Sequence, residues 1–273
     1  MPKNSQFNVV RDVNNSMRVT FNNPPINLVD PETILEFGAL IDRIEADAEL
    51  KVVVFDSAVP EFFLARYDMR RAAELPSQPG PSGLPAWPDF TTRLSRAPVI
   101  SVASIRGRAR GIGNEFLLAC DLRFASLEKA IFGQPEVAVG VVPGGGALER
   151  LPLLVGRARA LEIVLGSDDF DAATAEQYGW VNRAIPDAEL DKFVDNFVRR
   201  VSSFDRQALS EAKRLVSRAG LPTPSDLVAS QSVFLSAIGW PGARERAVKL
   251  VGRGARERGD FELRLGHHVG DLT

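Results

Sequence analysis

Cysteine and histidine are nearly missing from this sequence. The 273 residues contain one cysteine and two histidines. A lone Cys120 can form neither an internal disulfide nor a CxxC metal cluster. Lying in an apolar run, it reads as a buried, inert thiol. The histidines, His267 and His268, are neighbours near the end of the sequence. A Ser-His-Asp triad or an HExxH zinc site would have to be built from that tail. No GxxxxGK(S/T) phosphate loop occurs either. Acid–base chemistry therefore falls to carboxylates, with Tyr, Lys or backbone amides in support. No metal is expected.

An excess of one charge is also missing. With 33 basic and 35 acidic residues the net charge is −2, which gives no global pull towards nucleic acid or anionic lipid. No apolar run approaches the roughly 18 residues of a membrane-spanning helix. The first sixteen residues lack the apolar core of a secretory signal. These absences lead us to expect a reducing, cytoplasmic setting with no nucleic-acid or membrane partner.

What is present is ordinary for a globular chain: 45% hydrophobic and 25% charged residues. The length suits one large domain, or a domain with an appendage. A core of that size can stabilise itself without disulfides or metals. Met17–Phe21 alternates as a strand should, while Lys51–Phe55 and Pro98–Ile105 are buried strand candidates. Leu122–Ala125 and Ala130–Phe132 look like shorter ones. Pro31–Ala48 reads as an amphipathic helix with Asp30 as N-cap and Pro31 at its first position. Leu75–Pro88, rich in Pro, Gly and Ser, reads as a mobile loop of the kind that contacts ligands. From Arg157 onwards the pattern is almost wholly helical. The expectation is a mixed α/β core over residues 1–204 and a helical segment over 205–273.

Three glycine-bearing stretches carry the chemistry. Arg110–Asp121 reads RGIGNEFLLACD. Its glycines let the chain turn tightly after a strand, and a helix follows whose first N–H groups have no internal partner. The Ile112 N–H is one that could stabilise an oxyanion. Glu115 lies in the first turn, where on this stretch alone it reads as a partner of the helix dipole. Phe132–Glu136, FGQPE, supplies a second acid; alone, Glu136 reads as a surface residue at a strand end. Pro143–Gly146, PGGG, opens another helix with free amides.

Together with FFLARYDM and the long LPLLVGRARALEIVLGSDDFDAATAEQYGWVNRAIP run, these stretches resemble the enoyl-CoA hydratase/isomerase family, also called the crotonase superfamily. The resemblance covers most of the chain. It implies an α/β fold: a spiral of strand–strand–helix turns with a helical C-terminal part that packs against neighbouring subunits. The implied assembly is a homotrimer or a dimer of trimers. It implies acyl-CoA thioester substrates, so coenzyme A enters as part of the substrate and no further cofactor is needed. By position, Glu115 and Glu136 match the catalytic acids, and Tyr67 and Ile112 match the oxyanion-hole amides. Gly144 matches a backbone donor near the catalytic water.

Two positions depart from the family pattern. Arg66 stands where a glycine is usual in Ala65-Arg66-Tyr67-Asp68, and Ile112 replaces the middle glycine of a GGG turn. Both place side chains beside the expected thioester. Ala65, Arg66, Arg108 and Arg110 are candidates for substrate contact, the arginines through CoA phosphates or an acidic acyl group. Arg106, Arg108 and Arg110 alternate and so share one face of an extended segment. For any single arginine the favoured reading is a solvated edge with salt bridges. The implied activity is enoyl-CoA hydration through an enolate. Enoyl-CoA isomerisation, another enolate-forming reaction or a catalytically weak acyl-CoA-binding subunit are the alternatives.

Overall fold

The computed structural model describes residues 5–271. The N-terminal part alternates short strands and helices. Strand β1 (Phe7–Arg11) pairs antiparallel with β2 (Ser16–Phe21), and helix α1 (Pro31–Ala46) follows. The start of α1 is set locally. Asp30 accepts from the Thr33 N–H while the Thr33 hydroxyl bonds the Asp30 backbone, a capping box with Pro at the first position. Ile34, Phe37, Leu40, Ile41 and Ile44 then fall on one buried face.

Three strand–strand–helix units come next. They are β3 (Val52–Ser57), β4 (Phe62–Leu64) and α2 (Ala86–Arg96); β5 (Ile100–Ile105), β6 (Arg108–Arg110) and α3 (Ile112–Ala119); and β7 (Leu122–Ser126), β8 (Ile131–Gly133) and α4 (Ala147–Val155). The first strand of each unit joins one sheet and the second joins another. Helices α5 (Arg157–Gly166) and α6 (Ala172–Tyr178) flank β9 (Asp169–Asp171), and β10 (Arg183–Ile185) precedes α7 (Asp187–Ser202). The resulting sheets run β1-β2-β3-β5-β7-β10 and β4-β6-β8-β9. Pairing is parallel except at β1/β2 and β8/β9.

Helices α8 (Arg206–Val216), α9 (Pro224–Ala237), α10 (Pro241–Gly252), α11 (Asp260–Leu263) and α12 (Leu265–Gly270) complete the chain. They do not stand apart: α9 packs on α2 and α4, and α12 packs on β9.

An aromatic cluster lies beneath the second unit. The Phe116 ring is 4.9 Å from Phe55, 5.3 Å from Phe37 and 5.4 Å from Phe21. Adjacent helical residues point about 100° apart, so anchoring Phe116 in the core aims Glu115 elsewhere.

Several elements differ from the expectation, the three-residue strands β4 and β6 among them, since neither was read as a strand. Strand β1 lies where no strand was read, because only Phe7 of its five residues is buried and the alternation is faint. Strands β9 and β10 interrupt the region read as helical. Each is three residues long and is defined by its partner, β8 for one and β7 for the other. The stretch read as a loop to Pro88 ends earlier, because Trp87 and Pro88 belong to the first turn of α2. Proline is tolerated there, where its missing N–H would have had no partner.

Candidate active site

The two acids of the sequence reading share one pocket. Glu115, Glu136, Arg66, Tyr67, Ile112 and Gly144 all line it. Most of the remaining wall is apolar, with Ile34, Met69, Trp87, Val139, Phe234 and Leu265 drawn from elements far apart in sequence.

Glu115 is held by backbone amides. Its Oε1 accepts from the Gly145 N–H at 2.7 Å and from the Ala147 N–H at 3.3 Å. These donors sit at the start of α4, where the helix dipole favours negative charge. Trp87 fixes the same turn by donating its Nε1–H to the Gly145 carbonyl at 3.1 Å. Only 3% of Glu115 is exposed. Burial pushes its carboxyl above the ordinary carboxylate range, and the two amides only partly offset that.

Glu136 projects into the pocket from the turn after β8. Its Oε2 accepts from Gln134 Nε2 at 3.0 Å. Burial raises its carboxyl strongly, and the Glu115 charge raises it further. Two acids so placed cannot both ionise cheaply, so the pair favours a state in which one of them is protonated.

The turn between β6 and α3 brings the elements together by close approach. A side chain at Gly113 would put its Cβ 2.1 Å from the Leu64 carbonyl oxygen. Glycine there lets α3 start directly against the segment after β4, which carries Tyr67. In that segment Val29 donates to the Arg66 carbonyl and accepts from the Asp68 N–H, both at 2.9 Å. This parallel bridge uses groups of Arg66 and Asp68 and leaves the Tyr67 N–H directed away from Val29. Ile112 is the first residue of α3, so its N–H has no acceptor within the helix.

The other candidates lie elsewhere. Ala65 is buried in a small cluster with Ile26, Leu28, Val59 and Phe62, outside the pocket wall. Arg108 donates from Nε to the Leu263 carbonyl at 2.8 Å. Arg110 is 1% exposed; it forms a two-pronged pair with Asp169, at 2.6 and 2.7 Å, and donates to the Glu262 carbonyl at 2.6 Å. Arg108 and Arg110 therefore tie the core to the C-terminal segment and do not reach the pocket. Arg106 pairs with Asp187 and Asp191 on α7. The glycine at 107, with φ of +88°, breaks the extended run, so the three do not share a solvated edge.

Arg66 reaches the pocket, but its charge is already matched. Its guanidinium pairs with Glu262, which is fully buried. Beside it Arg256 pairs with Asp68 at 2.9 Å, and the Arg256 N–H donates to Glu262 at 2.8 Å. The C-terminal segment is thus strapped onto the Arg66–Asp68 stretch, and Gln231, Phe234, Leu250 and Leu265 close the pocket. The expectation that this segment faces neighbouring subunits left out its packing over its own chain's pocket. Sequence reasoning also missed Asn114, Gln134 and Trp87 as site residues. Asn114 and Gln134 stood inside the quoted RGIGNEFLLACD and FGQPE, and Trp87 inside the stretch read as a ligand-contacting loop, which were the available signals. Asp121 accepts from the Ser101 N–H and hydroxyl and pairs with Lys213.

Comparison with known proteins identifies the family and the fold. The enoyl-CoA hydratase/isomerase family pattern matches residues 12–234, and the chain belongs to that family. It is 30% identical over 201 residues to the short-chain-enoyl-CoA hydratase of Clostridium acetobutylicum, covering 73% of this chain and 77% of the relative. A "probable enoyl-CoA hydratase" of Rhizobium meliloti is 34% identical over 201 residues, covering 71% and 77%. A crystal structure of a "putative enoyl-CoA hydratase" from Streptomyces avermitilis superposes with a TM-score of 0.93 at 43% identity, covering 98% of this chain and 97% of that one. The fold is the crotonase fold. Among the described residues no helix is long and apolar enough to cross a membrane.

Proposed function

We propose that this protein hydrates an α,β-unsaturated acyl-CoA thioester. The observation that carries this reading is the pair Glu115 and Glu136 on one pocket, beside the Tyr67 and Ile112 amides. Those amides would hold the thioester oxygen as negative charge develops on it. Loss of one such donor typically costs about 3–4 kcal/mol in the transition state. Glu115, ionised against the Gly145 and Ala147 amides, would take a proton from water as the oxygen bonds to the β-carbon. Glu136, protonated, would give its proton to the α-carbon. The sum is addition of one water, after which the two carboxyls exchange protons with solvent to reset. Unequal environments of two acids suit such a division of labour.

The apolar wall and the matched charge of Arg66 favour an uncharged, hydrocarbon acyl group. The same reading carries a homotrimer or dimer of trimers, a cytoplasmic setting and residues 205–273 as the assembly segment. Exposed apolar side chains on α9 and α10, Val233, Leu235, Val248 and Val251 among them, support an assembly.

The test is the loss of conjugated absorbance of a panel of enoyl-CoA thioesters of increasing chain length. Hydration should fall by about 10²–10⁴-fold in Glu115→Gln and in Glu136→Gln. Double-bond migration that needs Glu136 but not Glu115 would replace hydration by isomerisation. Tight acyl-CoA binding with no change in any thioester would leave a binding subunit.

A further inference from the structure

A chain of buried side-chain hydrogen bonds runs from Trp180, just after α6, to Glu136. Trp180 Nε1 lies 2.9 Å from Asn114 Oδ1. Asn114 Nδ2 lies 2.7 Å from Gln134 Oε1. Gln134 Nε2 lies 3.0 Å from Glu136 Oε2. Trp180, Asn114 and Gln134 are each 0% exposed. Three elements supply the links: the turn after α6, helix α3 and the end of β8.

The direction of this chain is fixed by one residue. An indole N–H can only donate. Asn114 must therefore turn its oxygen to Trp180 and its NH₂ to Gln134. Gln134 must in turn present its oxygen to Asn114 and its NH₂ to Glu136. Without the indole, both amides could turn over together at little cost. Gln134 would then offer an oxygen to Glu136, and two acceptors could meet only with a proton between them.

We infer that Trp180, Asn114 and Gln134 form a polarised relay that decides which oxygen of Glu136 carries its proton. With Gln134 donating to Oε2, the proton belongs on Oε1. Oε1 faces the turn before α3, since a Cβ at Gly111 would lie 2.6 Å from it. That turn carries the Ile112 N–H. The proton is thus held beside Gly111, next in the chain to the amide proposed to hold the thioester oxygen, and is not sequestered in the relay. The inference rests on the reading of Glu136 as the acid that protonates the α-carbon. Trp180, Asn114 and Gln134 are positioning residues, because they act through Glu136 and do not line the pocket.

Glu115, Arg66 and Tyr67 are the titratable or charged groups that share the pocket with Glu136. The side chains reaching it from α2, α9, α10 and α12 (Trp87, Gln231, Phe234, Leu250, Leu265) carry no charge. The Gln134 donor favours the ionised form of Glu136 and opposes the effect of burial.

The test is a carbon-13 carboxyl titration of the full-length protein without substrate. The Glu136 signal is assigned by its absence in Glu136→Gln. Gln134→Leu should raise the Glu136 midpoint by about one to two pH units, as expected for loss of a hydrogen bond to a charged group. Trp180→Phe keeps the ring but loses the N–H; it should move the midpoint the same way by a smaller amount. In the Gln134→Leu background it should add nothing further. Asn114→Leu reads the same midpoint if Trp180→Phe does not fold. A Trp180→Phe protein that melts earlier but titrates like wild type would overturn the relay, as would an unmoved midpoint in Gln134→Leu. Because no substrate is present, these outcomes stand apart from hydratase activity. Shifted midpoints in a protein that hydrates nothing would strike the functional reading and leave the relay in place.

Discussion

The helix α3 region and the C-terminal cover border the same pocket and are held in opposite ways. Around α3 the polar groups of the site meet backbone amides and neutral side-chain amides, and aromatic packing sits behind them. Glu115 rests on the Gly145 and Ala147 amides, and Phe116, one residue on, is locked among phenylalanines. The cover adds ion pairs to its apolar contacts with the core, such as Val139 and Val141 against Phe234, Ala237 and Ala243. Arg66–Glu262, Arg256–Asp68 and the Arg110 bonds to the Glu262 and Leu263 carbonyls form the seam. Neutral donors can fix a carboxyl without neutralising it, which suits a group that must gain and lose a proton. Ion pairs hold a closing segment in one orientation but make it depend on each partner being present. In the proposed reaction the core would carry the chemistry, and the cover would decide what is enclosed with it.

That division can be broken first at Gly145. A Cβ there would lie 2.1 Å from Glu115 Oε2 and 2.6 Å from Trp87 Nε1. Gly145→Ala should displace the Glu115 carboxylate and lower kcat by about 10²-fold or more, the scale of one positioned acid or base. Little change in the far-ultraviolet spectrum is expected, and near-normal turnover would show that Glu115 needs no fixed seat.

The cover is challenged at Arg66. Arg66→Ala leaves Glu262 buried without its cation, and Glu262 Oε2 already has no hydrogen-bond partner. Loss of one partner of a buried pair costs about 3–5 kcal/mol, and the low end is expected because the Arg256 N–H still donates to Glu262. Denaturant unfolding measures the loss. KM should rise more than kcat falls, since the cover contributes walls such as Phe234 and Leu265. Arg264→Ala is the control. Its pair with Asp260 is 58% and 62% exposed, and such pairs contribute little. Equal destabilisation by the two changes would erase the distinction between seam and surface.

A smaller effect separates the two regions by pH. The folded-state carboxyls of Glu115 and Glu136 titrate above their ordinary range. Between the ordinary and the raised values the native state binds more protons than the unfolded chain, so stability falls as pH rises through that window. Glu136→Gln removes its part of this loss. Its melting temperature should exceed that of wild type by about 2 °C at the alkaline end and converge with it near pH 5. A constant difference across pH would mean that Glu136 is not buried as a proton-holding acid.

Local signals in the sequence were enough for α1, whose cap and apolar face are written within sixteen residues, and for β3 and β5, whose β-branched runs need no partner to be recognised. They were not enough for β9 and β10, which exist only because β8 and β7 offer edges. The site divides the same way. Its two acids each read as ordinary residues alone and were recognised only with the glycine turns, through the family resemblance. Arg66, Arg108 and Arg110 were visible as basic residues, but their partners Glu262, Asp169 and the Leu263 carbonyl lie 59 to 196 residues away. No local pattern shows such a pairing, so a charge that reads as open to a ligand proves to be spent inside the fold.

By itself, then, the sequence determined the chemical repertoire. With almost no histidine or cysteine, and with Glu115 and Glu136 beside glycine turns, it made carboxylates the leading candidates for proton transfer and backbone amides the candidates for oxyanion stabilisation. The tertiary structure decided which acids meet, which arginines are neutralised, and that Trp180 stands 66 residues from the amide it orients. The physical reason is that donor, acceptor and charge are properties of single residues. Burial and hydrogen-bond direction arise only when distant segments pack.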